Sequence, residues 1–126
     1  MLEDFQRALA PLLEQTGEAV TPLQITAEIF ECTRENADLC SVILGPNGDK
    51  KFASQLLDLG RERCVECYTK FFPSATAQKI EYFYTFVSAG CIGLLEKWIN
   101  DGMALSSTEL AQIAEGIMLS GIQFLN

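Results

Sequence analysis

The segment from Ile80 to Met103 has apolar residues on two opposite sides of a predicted helix. At 100° per residue, one continuous stripe is broad enough to face a core, and it contains Ile80, Phe83, Tyr84, Val87, Cys91, Leu94 and Trp98. A narrower stripe of aromatic and small residues lies opposite, formed by Tyr82, Phe86, Ala89, Gly90 and Gly93. A helix that is apolar on most sides must be buried on most sides, so the second stripe predicts a partner.

The last predicted helix is also broader on its apolar side than a monomer requires. It follows the capping box at 106–109, Ser-Ser-Thr-Glu. Its apolar positions are Leu110, Ile113, Ala114, Ile117, Met118, Gly121, Phe124 and Leu125. We therefore expect a self-association surface on these last two helices, made of Tyr82, Phe86, Ala89, Gly93, Ile113 and Ile117.

Three amphipathic segments precede these helices. The first covers residues 1–15, and the second begins at the capping box Thr21-Pro22-Leu23-Gln24, with a possible break near residues 36–38. A turn predicted at 45–48, Gly-Pro-Asn-Gly, ends the second segment, and Asp49 is placed to cap the third. The inward stripe of the third segment includes Gly60 and Phe71. No segment alternates with period two and no repeat is present. The pattern predicts a single all-α domain over residues 1–126, a bundle of about five helices.

Composition excludes several classes of function. The net charge of -8 repels nucleic-acid phosphates and anionic lipid, so this chain alone is not expected to bind either. Histidine is absent, which removes Ser-His-Asp and Cys-His catalysis and every histidine-ligated metal site. We therefore expect no enzyme, no bound metal and no cofactor.

The five cysteines have an odd count and no disulfide-rich context, which fits a reducing cytoplasm. The N-terminus lacks a secretory signal, and the longest uncharged run, 82–95, is shorter than the roughly 20 residues of a membrane-spanning helix. Cys64 and Cys67 form a C-x-x-C motif, but both lie on an apolar helical stripe. Packing is the favoured interpretation of these thiols, and a thiol-sensing role stays open.

Several residues of the central helices combine an apolar body with a polar tip, which is typical of small-molecule pockets. Ordinary core packing is the alternative for each one. If a pocket exists, we expect it among Phe30, Thr33, Cys40, Leu56, Cys64, Tyr68, Phe83 and Val87.

The order of three stretches resembles the C-terminal regulatory domain of TetR-family transcriptional regulators, especially the subgroup common in Firmicutes. The stretch ENADLCSVILGPNGDKKFASQL is similar to the family's helix, glycine-bearing turn and helix. The stretch YTFVSAGCIGLLEKWINDGM resembles its glycine-containing penultimate helix, and SSTELAQI resembles the start of its last helix. The likeness extends from residue 25 to the end of the chain.

This resemblance implies a homodimer formed by the last two helices of each copy as a four-helix bundle, and a pocket for a small apolar effector. It also implies that residues 1–15 correspond to the connecting helix, and that DNA is bound only through an N-terminal helix-turn-helix domain absent from this sequence. The alternative hypothesis is a stand-alone helical interaction module, in which the extra apolar face binds a different protein.

Overall fold

The computed structural model describes residues 2–13, 21–44 and 50–125, and most of these residues are helical. The helices are α1 (Leu2–Leu13), α2 (Pro22–Glu35), α3 (Ala37–Ile43), α4 (Lys50–Asp58), α5 (Arg61–Phe71), α6 (Ala77–Asn100) and α7 (Ser107–Gly121), followed by a 3-10 helix (Ile122–Leu125). No strand occurs within these ranges, and the predicted all-α class is confirmed.

Side-chain caps fix the starts of the long helices where the sequence predicts them. The Thr21 hydroxyl accepts a hydrogen bond from the Gln24 amide at 3.3 Å, and the Gln24 side chain accepts one from the Thr21 amide at 2.8 Å. Ser106 and Glu109 form the same reciprocal pair, with both distances 3.0 Å. Each box satisfies backbone donors that the first helical turn leaves unpaired.

Two interruptions raise the number of helices above the five expected. The break anticipated near residue 36 is present, and the Asn36 side-chain amide donates to the carbonyl of Cys32 at 2.9 Å. The prediction of one continuous helix after residue 49 is wrong. Gly60 has a left-handed φ of 78° and separates α4 from α5, a conformation that glycine adopts without steric cost.

One core assignment on α5 is wrong. Phe71 is the last residue of this helix, and it is 53% exposed instead of facing inward. Cys64, Cys67 and Tyr68 are buried as expected. The turn predicted at 45–48 and the cap predicted at Asp49 lie outside the described residues.

The core surrounds α6 and has two parts. In one, Phe5 of α1 packs edge-on against Phe52 of α4, with ring centroids 5.9 Å apart, and Trp98 donates to the carbonyl of Leu105 at 2.9 Å. In the other, Leu9 of α1 packs in a cluster with Tyr68. Helix α1 is thus held to both parts of the core.

Helix α2 connects the ends of the fold, because it packs against both α1 and α7. On α2, Glu31 accepts hydrogen bonds from Arg34 and from the Ser107 hydroxyl at the start of α7. The bond from Arg34, followed by that from Ser107, lowers the pKa of Glu31. Within the described ranges, no helix is both long and apolar enough to cross a bilayer.

Candidate functional site

A small cavity lies among the central helices. It has a volume of about 50 Å³ and is walled by α2, α4, α5, α6 and one residue of α7. Its lining is mostly aliphatic and aromatic, with a few hydroxyls and thiols. No charged side chain of the described residues contributes to its wall.

The structure brings five of the eight predicted pocket residues to this cavity, namely Phe30, Leu56, Cys64, Tyr68 and Val87. The other three lie elsewhere. Thr33 and Cys40 are fully buried near the break between α2 and α3, where Thr33 donates to the carbonyl of Ile29 at 2.8 Å. Phe83 packs edge-on against Tyr68, with ring centroids 5.3 Å apart.

Sequence reasoning missed most of the wall that the first turns of α2 supply. Pro22, Ile25, Thr26 and Ile29 line the cavity, whereas the prediction followed α2 toward its C-terminal end. Thr26 and Pro22 precede Phe30 by about one and two helical turns, and this spacing was the available signal. Further lining residues missed from the pocket set are Leu59, Tyr84, Ser88, Cys91, Ile92, Leu95 and Met118.

Hydroxyl groups in the cavity wall are already bonded to the backbone. Thr26 donates to the carbonyl of Pro22 at 2.9 Å, and Ser88 donates to the carbonyl of Tyr84 at 2.7 Å. Such hydroxyls retain lone pairs, so they are able to accept a further hydrogen bond from a ligand.

The titratable groups of the wall are neutral at physiological pH. Burial raises the pKa of Cys64 to about 12 and that of Cys91 to about 11. Burial also raises the pKa of both Tyr68 and Tyr84. Removing a charged form from water without a partner is costly, so the cavity favours uncharged molecules.

The C-x-x-C motif has the environment of packed thiols. Cys64 and Cys67 are both buried, and neither takes part in a disulfide. Because the reactive species is the thiolate, the raised pKa of Cys64 makes it a poor nucleophile at neutral pH. Among the residues with described positions, no group of cysteines and carboxylates is arranged to hold a metal ion.

An apolar groove of about 410 Å³ adjoins the cavity, between the start of α2, the end of α5 and the end of α7. Pro22, Tyr68 and Met118 line both spaces. The groove is further lined by Thr21, Leu23, Cys67, Phe71, Phe72, Leu119 and Ile122.

The residues predicted for self-association lie on the exposed sides of α6 and α7, two helices that pack against each other. Tyr82 and Phe86 are 68% and 78% exposed, and Ile113 and Ile117 are 44% and 57% exposed. Ala89 and Gly93 are exposed as well. A Cβ atom added at Gly93 would meet no atom within 4 Å, so the space beside this helix is open in one copy of the chain.

Comparison with known proteins identifies the family. Residues 20–120 match a TetR-type family model described as the transcriptional regulator C-terminal region. This match covers most of the chain, including the cavity and the exposed faces of α6 and α7. No curated protein and no solved structure gives a significant match. The chain therefore belongs to the TetR-type family of transcriptional regulator C-terminal regions.

Proposed function

We propose that this chain is a regulatory domain that binds a small apolar effector and forms a homodimer, and thereby modulates DNA binding by a helix-turn-helix domain outside these residues. The observation that carries the proposal is the pairing of an uncharged apolar cavity and its adjoining groove with exposed apolar faces on α6 and α7. Family membership supports the regulatory role.

Charge supports self-association through these faces. Two copies that each carry a net charge of -8 repel one another, so they associate best through an uncharged surface. The six predicted residues carry no charge, and Tyr82 and Phe86 offer large apolar area. In a twofold dimer the same patch is used by both copies, and each buried side chain contributes twice.

The position of α2 supports coupling between the cavity and the rest of the fold. Its first turns line the cavity, and the helix packs against α1 and α7. An effector changes the conformational equilibrium only when its affinity differs between two states. A ligand that favours one placement of α2 therefore favours one arrangement of α1.

Ala89→Arg tests the association surface, because it places a charge on the exposed side of α6. Val42→Arg is the matched control, since Val42 is 72% exposed on α3 and is not one of the six proposed interface residues. We expect wild type and Val42→Arg to have twice the 13.9 kDa chain mass by multi-angle light scattering, and Ala89→Arg to have the mass of one chain. An unchanged dimer mass for Ala89→Arg would show that the surface is misassigned.

Fluorescence of the uncharged apolar probe N-phenyl-1-naphthylamine tests ligand binding separately. We expect saturable binding by the wild-type chain and loss of binding in Val87→Arg, because the new guanidinium would lie in an uncharged cavity. Val42→Arg again serves as control. Equal binding of the probe by Val87→Arg and Val42→Arg would show that the cavity is not the binding site. The light-scattering test of the dimer does not depend on this result.

A further inference from the structure

The inner cavity is too small for an ordinary effector. Its volume of about 50 Å³ holds a few water molecules at most, whereas pockets for organic ligands span roughly 300 to 1,000 Å³. The adjoining groove, at about 410 Å³, lies within that range. Most of a bound molecule therefore needs the groove.

The two spaces share one boundary. Pro22 at the start of α2, Tyr68 on α5 and Met118 on α7 each line both the cavity and the groove. Neither space has a charged lining residue in the described part of the chain. A molecule that crosses this boundary stays in contact with apolar side chains along its length.

Tyr68 provides a polar group at the boundary. The residue is only 4% exposed, and burial raises its pKa, so its hydroxyl stays protonated at neutral pH. In a mostly apolar site, a ligand oxygen gains when a hydroxyl is present to form a hydrogen bond with it. The hydroxyl both donates and accepts, which suits an alcohol, ether or carbonyl oxygen.

We propose that the groove and the cavity form a single two-compartment site for an elongated, uncharged molecule with an alkyl chain and one oxygen group. The alkyl chain of this ligand lies in the groove against Phe71 and Leu119, and one end of the ligand enters the inner cavity. The ligand's oxygen forms a hydrogen bond with the Tyr68 hydroxyl. This assignment rests on the proposed effector function and names the chemistry of its ligand.

Displacement of N-phenyl-1-naphthylamine by a series of 1-alkanols from butanol to tetradecanol tests the shape of the site. We expect affinity to rise by about fourfold per methylene well beyond hexanol, because a longer chain continues to bury area along the groove. Carboxylates of equal length should bind at least tenfold more weakly, since the site would have to accept their charge.

Two substitutions test the separate parts of the site. Leu119→Arg places a charge in the groove at a half-exposed position, and it should weaken dodecanol binding at least tenfold while butanol binding changes little. Val42→Arg is the control and should bind both alcohols as wild type does. Tyr68→Phe keeps the ring and removes the hydroxyl, so it should weaken the binding of every alkanol several-fold. The increase in affinity per added methylene should stay as in the wild type.

Three results would overturn the two-compartment site. The first is equal dodecanol affinity in Leu119→Arg and Val42→Arg, and the second is a plateau of affinity at butanol or pentanol. The third is a change of Leu119→Arg from dimer to monomer, which would make the groove a surface between copies. If the wild type binds neither the probe nor any alkanol, the proposed effector binding also fails, while the light-scattering result still decides dimer formation.

Discussion

Phe86→Ala provides the most quantitative test of the proposed dimer. Phe86 is 78% exposed in one copy, so its ring contributes little to the folding of that copy. Complete burial of a phenylalanine side chain contributes about 2 kcal/mol. A twofold interface buries two such rings, and each has 78% of its area left to bury, so the substitution should remove about 3 kcal/mol of dimerisation free energy. This loss corresponds to about a hundredfold increase in the dimer Kd.

Sedimentation equilibrium over a range of concentrations measures this Kd directly. Phe71→Ala is the matched control, because Phe71 is also an exposed phenylalanine, 53% accessible on α5 and outside the proposed surface. We expect the control to have the wild-type Kd and Phe86→Ala to dissociate at about a hundredfold higher concentration. A wild-type Kd for Phe86→Ala, or an equal weakening by both variants, would refute the assignment.

Further substitutions test local features. Gly93→Ala should stabilise a dissociated chain by about 1 kcal/mol, because the added Cβ meets no atom and alanine is the better helix former. The same Cβ should weaken a closely packed dimer, so urea denaturation should show a more stable protein at low protein concentration and a less stable one at high concentration. A change in stability of the same sign at both concentrations would place Gly93 outside the interface. Cys64 ionises near pH 9 in the unfolded chain but has a pKa of about 12 in the fold, so the stability it contributes is complete below pH 9 and is lost as pH rises toward 12. The free energy of unfolding should therefore fall between pH 8 and pH 10, and it should fall less in Cys64→Ala. An identical fall in the two proteins would contradict this account. Arg61 pairs with Glu81 and lies 5.3 Å from the centre of the Tyr84 ring, so Arg61→Met should lower the free energy of unfolding, measured in urea, by about 1 kcal/mol. Glu81→Gln should lower it less, because this variant keeps the ring contact. Equal losses of stability would show that the ring contact contributes nothing.

Local chemistry explains what the sequence predicted well. The two capping boxes depend on residues three positions apart, and both helices begin where the boxes stand. The double stripe of α6 is likewise a property of one segment. Ile80, Phe83, Tyr84 and Trp98 are buried, whereas Tyr82 and Phe86 are exposed.

Features that depend on tertiary packing were predicted less well. The buried face of α6 also includes Ile92 and Leu95, because α3 and α4 pack against α6 and these residues join one core cluster with Cys40 and Phe52. The pattern of α6 alone contains no information about these neighbours. The break at Gly60 was missed for a related reason, since a glycine in a helical pattern marks either a tight contact or a turn, and only the fold decides between them.

The two proposed functions act on the same helices. On α7, Met118 contributes to the cavity and is 7% exposed, while the preceding Ile117 is 57% exposed on the proposed interface. On α6, Val87 lines the cavity and the preceding Phe86 lies on the exposed side. A ligand that moves either helix against the core therefore changes the surface that a second copy contacts. Because linkage is reciprocal, a dimer geometry that tightens ligand binding is stabilised by the ligand to the same extent.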